Sequence, residues 1–320
     1  MGRYIIRRIL WGIVLLFLVS AMTFIIFYVF PAADPAQLRA GRLASPALIA
    51  RIRHTLGLDQ PIYTQYYHYM KNIVLHFNFG YSYYSGQSVL ALIKSRLPAT
   101  LSLTVGAVIL WCLIGIPVGI LSAIKRGKFV DRAAMTTALA FVSMPVFWFA
   151  LILLFLFAKD IGKIPLFDGA NTYTGLTNSP SQWFGSLIMP WLVLAATQAA
   201  IYSRLLRGNL LEVMGEDYIR TARAKGLPER RVIWHHGVRS AITPVVTVLG
   251  LDIGVLLGGA VLTETVFEIP GIGLLNYQAI IHSDIPIVQG TVLLAAMFII
   301  VANIVVDVAY AYLDPRVQYT

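Results

Sequence analysis

Residues 217–231, DYIRTARAKGLPERR, place a charged helix, a glycine and the start of a second helix between two long apolar segments. Glu216 and Asp217 sit where a helix start favours anions, and Arg220, Arg223 and Lys225 follow toward the end that favours cations. Gly226 is suited to the left-handed position just past a helix end, and Pro228 opens a second short helix with Glu229 in its first turn. The stretch therefore reads as a rigid basic knuckle in water, held between segments that belong elsewhere.

The solvent of those neighbouring segments follows from composition. The chain is 58% hydrophobic and 12% charged, with a mean hydropathy of +0.73, which excludes a single water-soluble globule and makes it an all-α integral membrane protein. Six segments can cross about 30 Å of hydrocarbon at roughly 1.5 Å per helical residue: 9–30, 99–122, 134–158, 186–206, 241–262 and 289–312. The run from Ile9 to Phe30 is longer than the apolar part of a signal peptide, and the PAADPAQ after it offers no cleavage site, so it counts as a span.

Cations set the orientation. With the N-terminus inside, sixteen of the 25 Lys and Arg fall in cytoplasmic segments, among them Arg3, Arg7, Arg8, Lys125, Arg126, the knuckle cations and Arg316. Both termini and the knuckle then face the cytoplasm. The net charge of +10 follows from the same bias and gives no reason to expect nucleic acid as a partner. The chain divides into an N-terminal tail and first span (1–30), an extracytoplasmic helical segment (31–98) and a core of five spans (99–320) that carries the loop 207–240.

Catalytic patterns are missing. Cys112 is the single cysteine, so no disulfide or thiolate metal site can form within one chain. There is no GxxxxGK[ST], HExxH or GxSxG, and the adjacent His235 and His236 point to different helix faces, which argues against a metal site. No cofactor is expected on this chain.

Within the spans, Gly250, Gly254 and Gly258 recur every four residues and lay a bare ridge along one helix face. Asp252 lies about 160° round from the middle of that ridge, so its carboxylate faces either a watery path or a hydrogen-bonding neighbour. Asn303 and Asp307, four residues apart, suit packing between helices. Met144 and Pro145 interrupt the third span and can bend it. In TETVFEIPGIG, residues 263–273, a tight turn follows the fifth span; with Glu264, Glu268 and Asp284 and no cation, the outer mouth reads as acidic. Met144, Asp252 and Glu264 are the candidates for a translocation path.

Several stretches carry a family resemblance: RYIIRRIL (3–10), LGLDQPIYTQY (56–66), FGYSYYSGQSV (79–89), RLPATLSLT (96–104), YIRTARAKGL (218–227), ITPVVTVLG (242–250), GGAVLTETVFEIPGIGLL (258–275) and LDPRVQY (313–319). In this order and spacing they resemble the permease subunit of binding-protein-dependent ABC importers of the dipeptide/oligopeptide group, which includes nickel permeases, and more closely the first of the two permease types such systems pair. The resemblance implies a type I importer fold in a prokaryotic inner membrane.

It also implies a role for the knuckle, which is similar to the EAA loop that docks in a groove of the ATP-binding subunit. Arg220, Thr221 and Ala222 occupy the three EAA positions and Gly226 the motif glycine, with Arg223, Ala224, Lys225 and Leu227 completing the contact stretch. Only Ala222 and Gly226 keep the broad pattern, and its later Ile-x-Leu-Pro element has no match. The implied partners are a second homologous permease, two ATPase subunits that bind ATP and Mg, an extracytoplasmic solute-binding protein and membrane lipid. A proton-coupled secondary transporter is the alternative from another class; uptake surviving ATP depletion would mark it.

Overall fold

A computed structural model describes residues 2–30, 34–41 and 44–313. Most of LDPRVQY, with Arg316, and the first residues of PAADPAQ lie outside the described residues. The described chain folds as helices: α1 (Gly2–Phe24), which runs on through a π-helical turn at Ile25–Val29, then α2 (Pro35–Ala40), α3 (Pro46–Thr55) and α4 (Ile62–His76). The core follows with α5 (Val89–Ile124), α6 (Phe129–Ser143), α7 (Val146–Phe157) and α8 (Pro180–Val213). Next come α9 (Asp217–Ala224), α10 (Glu229–Arg231), a π-helical segment (Val232–Val238) and α11 (Arg239–Ala241). The chain closes with α12 (Thr243–Leu257), α13 (Val261–Val266), α14 (Ile272–Ile281) and α15 (Ile285–Leu313).

Four helices are long and apolar enough to cross a membrane unaided: Ile5–Val29, Val89–Ile124, Pro180–Val213 and Ile285–Val308. Counting each of two bent helix pairs as one span brings the number to as many as six. The expected third span is broken rather than gently bent, with α6 and α7 meeting at 100°. Pro145 removes a helical N–H and disfavours the helical conformation of the residue before it, and Met144 sits extended at φ −86°, ψ 123°. The fifth span ends at Leu257, short of the expected 262, and is angled by 44° against the helix of residues 229–241.

Packing centres on α5 against α8. Trp111 of α5 and Tyr202 of α8 are both fully buried, with ring centroids 5.8 Å apart. The helices approach closely at Gly119, where a Cβ would stand 2.7 Å from the Ser203 carbonyl oxygen. The ridge of Gly250, Gly254 and Gly258 faces α15, meeting Val306, Ala302 and Ala295 in turn. A Cβ on Gly254 would lie 2.8 Å from Ala302 Cβ and 3.1 Å from the Ile299 backbone, so no rotamer relieves the contact. Gly254→Leu is expected to separate α12 from α15 and to cost about 3 kcal/mol, the upper range of overpacking. Thermal unfolding of the detergent-purified protein checks this; an unchanged midpoint would refute the close approach.

At the other end of α15, Asp307 pairs with Arg8 of α1 at 3.0 Å, which brings the beginning of the first span and the end of the last to one side. On the opposite side, α2–α4 make a thin cover in which no residue of α3 or α4 is buried. Asp34 caps α2 through Ala36 N–H at 3.0 Å and pairs with Arg53 of α3. Tyr66 of α4 meets Ser20 of α1 at 2.8 Å, beside Phe24.

Candidate coupling site and translocation elements

The knuckle hangs directly from α8. After Val213, three residues turn the chain into α9, whose apolar residues Ile219 and Ala222 are spaced for one helical face. Both are buried, at 0% and 6% exposure, in a small cluster with Val213, Met214, Leu227 and Val232. Arg220 donates to Asp217 at 3.2 Å and Thr221 Oγ1 donates to the Asp217 carbonyl at 2.9 Å, closing the outer face.

The end of α9 is fixed by a paired cap. Gly226 N–H donates to the Arg223 carbonyl at 2.9 Å and Leu227 N–H to that of Ala222 at 3.3 Å, the two bonds of a Schellman motif. That motif needs a left-handed residue, and Gly226 has φ +73°. Beyond it, Arg223 donates twice to Glu229, at 3.1 and 2.7 Å, which holds its guanidinium pKa above the ordinary value. The pair is exposed and adds little stability, yet it aims Arg223 at its own chain.

The eight expected contact residues therefore divide. Ala222 and Leu227 turn inward, Arg220 and Arg223 are engaged on Asp217 and Glu229, and Thr221, Ala224, Lys225 and Gly226 are exposed. Tyr218, 44% exposed, joins the outer face; an aromatic left in water on a short charged helix was the available sign.

A second junction anchors this unit, and the sequence did not reveal it. Arg207 of α8 donates to both carboxylate oxygens of Asp131, at 2.7 and 2.9 Å. Asp131 also accepts from Ser122 Oγ and from Gly127 N–H at 2.8 Å, and is 3% exposed. One carboxylate thus ties the α5–α6 turn to the part of α8 that precedes α9.

The three path candidates lie on separate elements. Met144 is half-buried at the α6–α7 break. Asp252 points away from α15 and accepts from Tyr202 of α8 at 2.7 Å, a hydrogen bond between helices. Glu264 is fully buried and accepts from Thr100 Oγ1 at 2.9 Å, Leu274 N–H at 2.9 Å and Ala260 N–H at 3.3 Å. Asp284, 1% exposed, accepts from Ser82 Oγ and from the Tyr83 and Tyr84 N–H groups. The expected acidic mouth is corrected accordingly, since two of its three carboxylates turn inward to satisfy donors of the chain. Among the described residues no cluster of three or more His, Cys, Asp or Glu could hold a metal.

The described residues thus form a bundle of up to six spans with a short amphipathic helix on a charged loop, the arrangement expected of an ABC importer permease. Residues 115–319 match the family described as binding-protein-dependent transport system inner membrane component, and residues 1–104 match its N-terminal companion. The chain belongs to this family and is an inner-membrane protein. It is 39% identical over 319 residues to a probable peptide ABC transporter permease protein of Sinorhizobium fredii, covering 100% of both chains. The same identity and coverage relate it to the glutathione transport system permease protein GsiC of Escherichia coli strain K12. A solved structure of the MetNI methionine ABC transporter in an inward-facing conformation shares the fold, with TM-score 0.54, 17% identity, and coverage of 70% of this chain and 97% of that one.

Proposed function

We propose that the chain forms half of a translocation path for di- or oligopeptides and that α9 is its coupling helix. The names of the full-length relatives, peptide and glutathione permeases, support the substrate class. The other half of the path is a second, similar permease. Two ATPase subunits carrying ATP and Mg dock on the exposed face of α9, and a solute-binding protein delivers peptide to the outer side. Nucleotide-driven closure of the ATPases moves α9, and α8 carries the movement into the bundle; the chain's own contribution is an equilibrium between conformations that nucleotide state biases.

The observation that carries the coupling role is the construction of α9, which is buried on one face, capped by Gly226 and joined to a core helix by only three residues. A Cβ at Gly226 would meet nothing within 4 Å, so within this chain a substitution there acts through the backbone. Gly226→Val is expected to insert normally, to cost about 1–2 kcal/mol locally from the forced left-handed conformation, and to lower coupled uptake about tenfold while ATPase activity persists. Gly226→Asn, which tolerates that conformation, is expected to retain most uptake. Normal coupled uptake in the valine variant would overturn the assignment.

A further inference from the structure

On the outer side, a cavity of about 480 Å³ opens between the end of the first span, α3–α4, the strap at residues 78–83 and the first turn of α15. Its size falls within the range of small-ligand sites. Gln289 lines it, 3% exposed, and its amide Nε2 has no hydrogen-bond acceptor. A buried donor without a partner is costly, and native structures retain few of them.

The surrounding chemistry specifies what such a donor awaits. Among the described residues no Asp or Glu lines the cavity. Arg39 does, making no ion pair among the described residues, with its guanidinium 6.0 Å from the centre of the Tyr83 ring. The rings of Tyr28, Tyr69 and Tyr83 supply walls against which an apolar body can lie. A cation, an unpaired amide donor and aromatic walls without a carboxylate form a receptor for a carboxylate attached to an apolar or aromatic group.

We propose that this cavity binds the C-terminal carboxylate of a short peptide on the outer face of the permease, in addition to any site between the spans. The proposal rests on the peptide reading above. Arg39 supplies the charge and Gln289 the second donor, so the amidated peptide binds weakly.

The test uses the assembled transporter in lipid nanodiscs, with neither binding protein nor ATP, and the tripeptide Ala-Phe-Ala labelled at its amino terminus with the uncharged dansyl group. Anisotropy is expected to show saturable binding that weakens about tenfold for the C-terminal amide and for Arg39→Ala, the loss of one charge-assisted hydrogen bond. Gln289→Leu is expected to weaken binding about fivefold while its thermal midpoint stays equal or rises, because the buried donor is gone. Equal binding of acid and amide, absence of binding, or binding unaffected by both substitutions would overturn the proposal. Uptake of unlabelled Ala-Phe-Ala with binding protein and ATP is measured in parallel. Uptake without direct binding defeats this cavity alone, whereas absence of uptake across a library of di- to pentapeptides, run alongside, defeats the peptide reading itself.

Discussion

Asp131→Ala is expected to abolish most coupled uptake and to destabilise the protein by about 3 kcal/mol, the lower end for breaking a buried pair. The carboxylate has four engaged donors: two from Arg207, one from Ser122 and one from the Gly127 backbone. Removing it leaves a guanidinium whose side chain is only 25% exposed without its counter-ion, the costly half of breaking a buried pair. It also frees the α5–α6 turn from α8 close to where α8 passes into α9. Asp131→Asn keeps part of the hydrogen bonding and should fall between. Adding Arg207→Ala to Asp131→Ala should cost less than the sum of the two single losses if the pair acts as a unit, since no guanidinium is then left without its counter-ion. Thermal unfolding and reconstituted uptake check this together; wild-type uptake in the alanine variant would show that the junction does not transmit.

Glu264→Ala is expected to have the largest effect on stability, about 4 kcal/mol and roughly 10 °C in the unfolding midpoint. The carboxylate accepts from three donors and sits against Gly271 and Gly273, where a Cβ would lie 2.4 and 3.0 Å from its atoms. Thr100 in turn accepts from Ile272 N–H at 2.8 Å, so one acid organises the junction of α5, α13 and the start of α14. Alanine would leave a void and unpaired donors in a place closed to water. Glu264→Gln retains one acceptor oxygen and should lose about half as much. A midpoint within a degree or two of wild type for the alanine variant would refute the junction. Impaired uptake at unchanged stability would instead return Glu264 to the path.

Local features were readable from the chain because their causes are local. Apolar runs located the spans, Pro145 marked the break after Met144, and the glycine past α9 announced its left-handed conformation. Ala222 was expected on the contact surface, and its burial beside Ile219 against Val213, Met214 and Val232 became visible only in the folded chain. Contacts between distant segments were another matter. Arg207 and Asp131 are 76 positions apart and lie among other cations, with no periodicity to connect them. Glu264 and Asp284 resembled surface acids because their donors come from Thr100 and Ser82, whose proximity exists only once the chain has folded. The 100° between α6 and α7 was likewise unreadable, since a proline dictates where a helix ends and its neighbours dictate where the next one points.

The division of α9 into an inward pair and an outward set bears on how such transporters diversify. Ile219 and Ala222 secure the helix to its own chain, and neither belongs to the exposed set of Tyr218, Thr221, Ala224 and Lys225. On the docking proposed above, folding and partner choice draw on different positions of one eight-residue helix. A change of ATPase would then fall on the outward positions and leave the contacts of Ile219 and Ala222 with Val213, Met214 and Val232 intact.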